Sequence, residues 1–266
     1  EVGSNDFRIS DMGGTGDVTS GALLAAVAYN ATDNEYLVVW RGSDNVGGLV
    51  TGETEIFGQR LDAATGAEVG SNDFRISDMG GTGDANYNVY SAAVAYNAAD
   101  NECLVVWMGD DNVGGLVDNE LEVFGQRLDA ATGAEVGSND FRISEMGGTG
   151  NATYTAHDLA VAYNATHNGF VVVWRGDHDA GGLSDNELEI FGELLGADGV
   201  TIGPSDVRLS DMGGTGDNPF AAGWPAVAYG GGPDELLVVW TGDDDVDGLV
   251  DDETEIFGQR LTGDPT

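Results

Sequence analysis

The sequence contains no lysine. Its nine basic residues are all arginine, set against 47 acids, for a formal net charge of −38. No basic surface is available to neutralise phosphates, which excludes nucleic acid and anionic membranes as partners. No apolar run approaches the roughly 18 residues that a membrane helix needs, which excludes membrane insertion by that route. A single cysteine, Cys103, cannot build an intrachain disulfide framework. The three histidines, His157, His167 and His178, fall within one short stretch and have no recurring partner. No G-x-S-x-G, H-E-x-x-H, phosphate-loop or dinucleotide fingerprint occurs, so the familiar catalytic motifs are missing. The chain opens at Glu1 inside a repeat, the form expected of a mature or excised product.

What is present is glycine, acid and repetition. Glycine numbers 43 of 266 residues, roughly twice the usual ~7%. Hydrophobic residues make up 41% of the chain and come in ordered clusters, which argues against disorder. The stretch EVGSNDFRISDMGGTGD at 1–17 recurs unchanged at 68–84 and nearly so at 135–150. Trp40, Trp107, Trp174 and Trp240 are spaced 67, 67 and 66 residues apart, as are Met12, Met79, Met146 and Met212. The chain is therefore four copies of one unit, approximately 1–67, 68–134, 135–201 and 202–266, within a single domain over 1–266.

Each unit carries four strand signals. In the first copy they are Phe7–Ser10, Ala25–Tyr29, Tyr36–Trp40 and Glu55–Leu61. Tyr36–Trp40 is a continuous run of β-formers, as expected of a strand buried on both faces. Helical periodicity is absent. Four short antiparallel strands repeated radially form the blade of a β-propeller. The expected fold is thus all-β, a four-bladed propeller. The chain order begins with a lone Phe7–Ser10 strand and ends on three strands, so residues 5–10 are expected to pair with Glu255–Leu261 and close the last blade. A β-solenoid or a row of small sandwiches is the alternative architecture.

The pattern AVAYN…NEYLVVW…EIFGQRLDAATG…FRIS resembles tandem repeats of large secreted or surface bacterial proteins that are read as propeller blades. A four-bladed ring is also similar in blade number to the hemopexin-like fold, although no hemopexin motif is present. The resemblance covers the whole chain and implies an extracellular or cell-surface binding or scaffold module. It implies no activity.

Acid concentrates in the loop between the second and third strands of each unit. Its pattern is clearest from Asp110 to Gly125: D-D-N-x-G-G-L-x-D-x-E-x-E, followed by a strand. A hard cation such as Ca²⁺ takes six to eight oxygens from carboxylates, carbonyls and water. Spaced Asp and Glu around a Gly-Gly reversal could supply them. The expected calcium ligands are Asp110, Asp118 and Glu120, with Asn112 and Glu122 as weaker candidates. The equivalents are Asp177, Asp185 and Glu187, then Asp243, Asp251 and Glu253. In the first unit Ser43 and Thr51 replace two acids and leave Asp44, Glu53 and Glu55. The competing reading is a solvated acidic loop or adaptation to high salt. The GGTGD loop is read as a glycine turn, with a second-ligand role as its alternative.

Repeated arginines on strands of an acidic protein are expected to form structural ion pairs. The tryptophan column is read as packing between blades and Cys103 as a buried apolar residue. Trp224, outside the column, is either an exposed aromatic contact or a plug. The sequons at Asn30, Asn151 and Asn164 would permit glycosylation in a competent host. Taken together, these features predict a non-enzymatic extracellular calcium-binding module, structural or adhesive, whose partners are calcium ions and either glycans or identical subunits joined by strand donation. A lectin with one site per blade is the alternative.

Overall fold

The computed structural model describes residues 6–14, 16–45, 47–178, 181–214, 216, 220–231, 234–244, 249–250 and 253–263. These form 15 strands in four antiparallel sheets. Sheet I holds β1 (Gly21–Asn30), β2 (Glu35–Ser43), β3 (Glu55–Asp62) and β4 (Glu68–Arg75). Sheet II holds β5 (Val89–Asn97), β6 (Glu102–Gly109), β7 (Glu122–Asp129) and β8 (Glu135–Arg142). Sheet III holds β9 (Ala156–Asn164), β10 (Gly169–Gly176), β11 (Glu189–Gly196) and the short β12 (Val207–Arg208). Sheet IV holds β13 (Ala222–Gly230), β14 (Glu235–Asp243) and β15 (Thr254–Thr262). Each sheet is a meander in chain order, as the strand signals predict.

The turn chemistry is local and repeated. Between β1 and β2, Asn34 adopts a left-handed φ of 56°, matched by Asn101, Asn168 and Asp234. Asn and Asp tolerate this region better than other non-glycine residues. The Asn30 side chain completes the turn by accepting the backbone N–H groups of Thr32 (2.9 Å) and Asp33 (3.1 Å).

The first strand of each sheet packs beside the first strand of the next, so β1, β5, β9 and β13 are the inner strands. The second strands sandwich the core. Leu37, Val39 and Ile56 of sheet I meet Cys103, Val105, Trp107 and Phe124 of sheet II. Leu104, Val106 and Val123 meet Phe170, Val172 and Trp174 of sheet III in the same way, and Val171, Val173 and Ile190 meet sheet IV. Alternation along one strand thus serves two interfaces. The Trp107 and Trp174 indoles are fully buried there and donate to the sulfurs of Met79 (3.4 Å) and Met146 (3.3 Å), which links two members of the Trp and Met columns.

The expected closing strand is corrected. Residues 6–10 form no strand, and among the described residues β15 pairs with β14 alone; Asn5 lies outside them. Ile9 and Met12 instead cover Val38, Trp40 and Phe57 on the outward face of sheet I. The Asp11 N–H donates to Asp73 Oδ2 (2.7 Å), as the Asp78 N–H donates to Asp140 Oδ2 (2.9 Å) one repeat later. The segment is held by the contact that joins successive sheets, and that contact seats it on sheet I. Among the described residues, sheets I and IV do not pack together as neighbouring sheets do.

Candidate functional site

The carboxylates expected to bind calcium mostly serve the backbone. Glu120 is fully buried; it accepts the Val117 N–H (2.8 Å) in its own loop and the Gly150 N–H (2.8 Å) in the next GGTG turn. Glu53 does the same with Val50 (2.8 Å) and Gly83 (2.9 Å), and Glu187 with Ser184 (2.7 Å) and Gly216 (3.0 Å). Glu253 accepts the Val250 N–H (3.2 Å). Glu53, Glu120 and Glu187 thus latch the acidic loop to the following glycine turn, which accounts for both loops recurring together.

A second column lies deeper. Glu55 accepts the Ser77 hydroxyl and the Met79 N–H (3.0 Å); Glu122 takes Ser144 and Met146 (2.8 Å); Glu189 takes Ser210 and Met212 (2.9 Å). Burial pushes Glu55 and Glu122 up to about 8 and Glu189 up to about 7.

The aspartates divide. Asp44 Oδ1 accepts the Gly13 N–H (3.3 Å). Asp110 and Asp177 are buried, and their Oδ2 atoms accept Asn119 N–H (2.7 Å) and Asn186 N–H (2.8 Å). Burial raises Asp177 and pushes Asp110 up to about 6. Asp118 and Asp185 are exposed, Asp243 ends β14, and Asp251 lies outside the described residues. Among the described residues, no three His, Cys, Asp or Glu side chains gather as a metal-holding group.

Other sequence expectations resolve plainly. Arg60–Glu35 (2.7 Å) and Arg127–Glu102 (2.6 Å) are ion pairs between neighbouring strands, and Arg75–Asp78 (3.2 Å) is a local one. Cys103 is buried. In two of the sequons the asparagine is buried: the Asn30 and Asn164 amides donate to the carbonyls of Ala130 (3.4 Å) and Gly263 (3.0 Å).

The site that sequence spacing missed is marked by the opposite of repetition. Aligned by repeat, residues 18–25, 85–92, 152–159 and 218–225 read VTSGALLA, ANYNVYSA, ATYTAHDL and NPFAAGWP. No other segment of this length differs so much among the first three copies. It leads into the inner strands. Pairing with the second strand is interrupted there in every sheet, between Leu23 and Ala26, Val89 and Ala92, His157 and Leu159, and Gly223 and Ala226. The aligned residues at the irregularity are Leu24, Ser91, Asp158 and Trp224, and three have positive φ (56°, 35° and 47° for Leu24, Asp158 and Trp224). Such bulges re-aim side chains and are frequent beside functional sites. Comparing the repeats with one another, rather than seeking what they share, is the signal that finds this segment.

At sheets III and IV these positions form a charged aromatic cluster. Arg175 on β10 pairs with Asp158 on β9 (3.2 Å), and its guanidinium lies 6.0 Å from the centre of the Trp224 ring on β13. Trp224 is 68% exposed. His157 hydrogen-bonds Thr155 through Nε2 (2.7 Å), and burial together with the Arg175 charge lowers its pKa, favouring the neutral ring. The Asp177 N–H donates to the Thr155 carbonyl (3.2 Å), so the acidic loop joins the same cluster. Sheets I and II carry a simpler counterpart, with Arg41 5.4 Å from the Tyr90 ring centre.

No family model matches the chain, and no curated protein matches it. Among solved structures it is similar to the α-L-arabinofuranosidase Arb93A from Fusarium graminearum in complex with an iminosugar inhibitor, at 11% identity and a TM-score of 0.54, covering 92% of this chain and 63% of that one. A mutant of the same enzyme gives 12% identity and a TM-score of 0.53 over the same shares. A thermostable family-43 glycoside hydrolase is similar at 13% identity over 90% of this chain and 71% of that one, with a TM-score of 0.47. The chain thus spans less than two thirds of the arabinofuranosidase it superposes on. The likeness establishes the β-propeller type of fold. It also corrects the expectation of a non-enzymatic calcium-binding structural or adhesion module: the propeller matched at a TM-score above 0.5 is a carbohydrate-processing enzyme.

Proposed function

We propose that this chain is a carbohydrate-processing β-propeller whose site lies at the start of the inner strands of sheets III and IV. The observation that carries the reading is the Asp158–Arg175–Trp224 cluster, placed where otherwise near-identical repeats diverge. An exposed indole offers an apolar face to a sugar ring. Arg175 and Asp158 offer a donor and an acceptor of fixed geometry to its hydroxyls. The cluster also brings two carboxylates in differing environments into one region. Asp158 is held in an ion pair with Arg175, while Asp177 is buried, and burial raises its pKa. Separation of carboxylate environments is what acid–base hydrolysis of a glycosidic bond requires: one group to protonate the leaving oxygen, the other to serve as base or nucleophile. The arabinofuranosidase on which the chain superposes supports this class of substrate by fold.

The test is a screen of chromogenic glycosides and soluble polysaccharides, with binding followed separately by calorimetry. Trp224→Ala should raise KM or weaken binding about tenfold, and Asp158→Asn should abolish turnover while leaving the melting temperature within a few degrees. Absence of both turnover and binding across the screen would refute the reading. Binding without turnover would refute its hydrolytic part.

A further inference from the structure

We propose that Arg41, beside the start of the inner strands of sheets I and II, holds the carboxylate of a sugar acid. The choice of a sugar rests on the glycan reading above. The carboxylate site rests on what surrounds Arg41.

In a chain with 47 acids, a guanidinium without one is the exception. Among the described residues, every arginine except Arg41 has a carboxylate partner. The Nε of Arg41 is also buried without a hydrogen-bond partner.

The cause is one residue, and sheet III shows the filled form. There Arg175 lies opposite His157 in the strand register. The next residue, Asp158, sits at the bulge with a φ of 35° and meets the guanidinium at 3.2 Å. Sheet I has the same frame. Arg41 lies opposite Leu23, and the next residue sits at the bulge with a φ of 56°. That residue is Leu24. The partner that Arg175 finds in its own sheet is therefore lost from sheet I by substitution, while the arginine stays.

The surroundings of Arg41 suit a ligand. The Tyr90 ring, from the inner strand of sheet II, has its centre 5.4 Å from the guanidinium, much as Trp224 of sheet IV lies beside Arg175. Ser91, which follows Tyr90 in the chain, sits at the sheet II irregularity, and its hydroxyl is likewise buried without a partner. Buried polar groups left unpaired cost stability. Here one belongs to the arginine under the Tyr90 ring and the other to the residue beside Tyr90. Leu24 is 59% exposed. A guanidinium fits a carboxylate with paired N–H donors, and Tyr90 and Leu24 offer apolar surface to the ring that carries it. The ligand's carboxylate would stand at Arg41 where Asp158 stands at Arg175. A neutral sugar would leave Arg41 without a counter-charge, so the class is a uronic acid unit. One end of the propeller then carries a subsite with its arginine neutralised from within, at sheets III and IV, and one that takes its acid from the glycan.

The experiment is calorimetric titration of the full chain with tri-galacturonic acid and with its methyl ester, which removes the charge and keeps the rings. It is run at about 0.15 M salt, where exposed charges are screened beyond about 8 Å. The acid should bind about tenfold more tightly than the ester. Arg41→Gln should abolish that preference. Leu24→Asp should abolish it as well, by building the internal partner seen in sheet III. It should melt no lower than wild type, because Asp tolerates a left-handed φ better than Leu, so its loss of binding would not be a loss of fold. Equal binding of acid and ester, or a preference that survives either substitution, overturns the inference. So does the absence of binding by acid, ester and propionate alike. Propionate bound as tightly as the sugar acid or more so, and only with Arg41 present, upholds the carboxylate site and overturns the sugar.

Discussion

Glu122 provides the sharpest test of how these repeats are held together. Its carboxyl is fully buried, accepts the Ser144 hydroxyl and the Met146 N–H, and is pushed up to about 8 by burial. In the unfolded chain the same group titrates near 4.5. Between those values the native state holds a proton that the unfolded state has released. The folded pKa is raised, so this acid is neutral to stability below about pH 4.5, and stability falls as pH climbs toward 8. At about 1.4 kcal/mol per unit, the loss between pH 5 and pH 8 is about 3 kcal/mol for this one residue. Glu122→Gln mimics the protonated form, since its amide can donate to Ser144 Oγ while its carbonyl accepts Met146. The variant should melt like wild type at pH 4.5 and well above it at pH 8, by several degrees at about 2–4 °C per kcal/mol for a chain of this size. Removing any acid from a chain of net charge −38 relieves some repulsion. Glu68→Gln, on an exposed strand position, is the control for that effect. Calorimetry of the three proteins from pH 4.5 to 8 decides the matter. If Glu122→Gln gains no more at pH 8 than Glu68→Gln does, burial is not what sets this glutamate's proton affinity.

Arg127→Met should cost about 1–3 kcal/mol by chemical denaturation, because it strands the half-buried Glu102; a cost near zero would class the pair with exposed ones. Calcium affinity carried by the Asp110–Asp118 turn would appear as a melting shift when millimolar Ca²⁺ is added to chelator-treated protein, and Asp110→Asn would remove it. An unchanged melt would assign these loops to backbone latching alone. Expressed in a glycosylating host, the folded protein should carry no glycan at Asn30 or Asn164, as read by peptide mass spectrometry; occupancy there would mean that those turns open before or after folding.

Much of the architecture was legible in the sequence because it depends on local pattern. Leu37–Trp40 alternates between two buried faces, as a short run of β-formers predicts. The Trp and Met spacings report a shared core position, with an indole-to-thioether contact at Trp107–Met79 and Trp174–Met146. The N-terminal segment shows where such reading stops. Residues 1–8 have the same sequence as β4 and β8, yet 6–8 form no strand while Glu68–Arg75 and Glu135–Arg142 do. Strand formation there needs a third strand alongside, and only the tertiary arrangement supplies it. The acidic-loop pattern does not separate two uses of carboxylate for a similar reason. Closely spaced acids suit a cation, but they equally suit a row of unsatisfied backbone N–H groups. Burial and the Gly83, Gly150 and Gly216 partners show the second use at Glu53, Glu120 and Glu187.

The same contrast explains where function can reside in a chain of copies. A latch such as Glu120 must meet the amides of both its own loop and the next turn, so a change in either loop leaves a buried carboxylate without partners, at a cost of several kcal/mol. Such columns stay alike because each copy depends on its neighbour. The start of the inner strand is under no such demand. Its bulge removes one position per sheet from regular pairing, and at that position Leu24 and Trp224 are exposed, although Val89, Ala156 and Ala222 close by are buried. At the bulge position itself no ladder bond constrains the residue, and Leu24, Ser91, Asp158 and Trp224 have diverged there. Freedom alone would scatter small polar residues. Sheets III and IV instead place an acid, a paired arginine and an exposed indole within reach of one another, a combination with an unfavourable bulge conformation at both Asp158 and Trp224. The positive-φ bulge is shared by Leu24 of sheet I, so the residues placed on it, and not the backbone alone, set this cluster apart; variants of this cluster, rather than those of the acidic loops, should separate activity from stability.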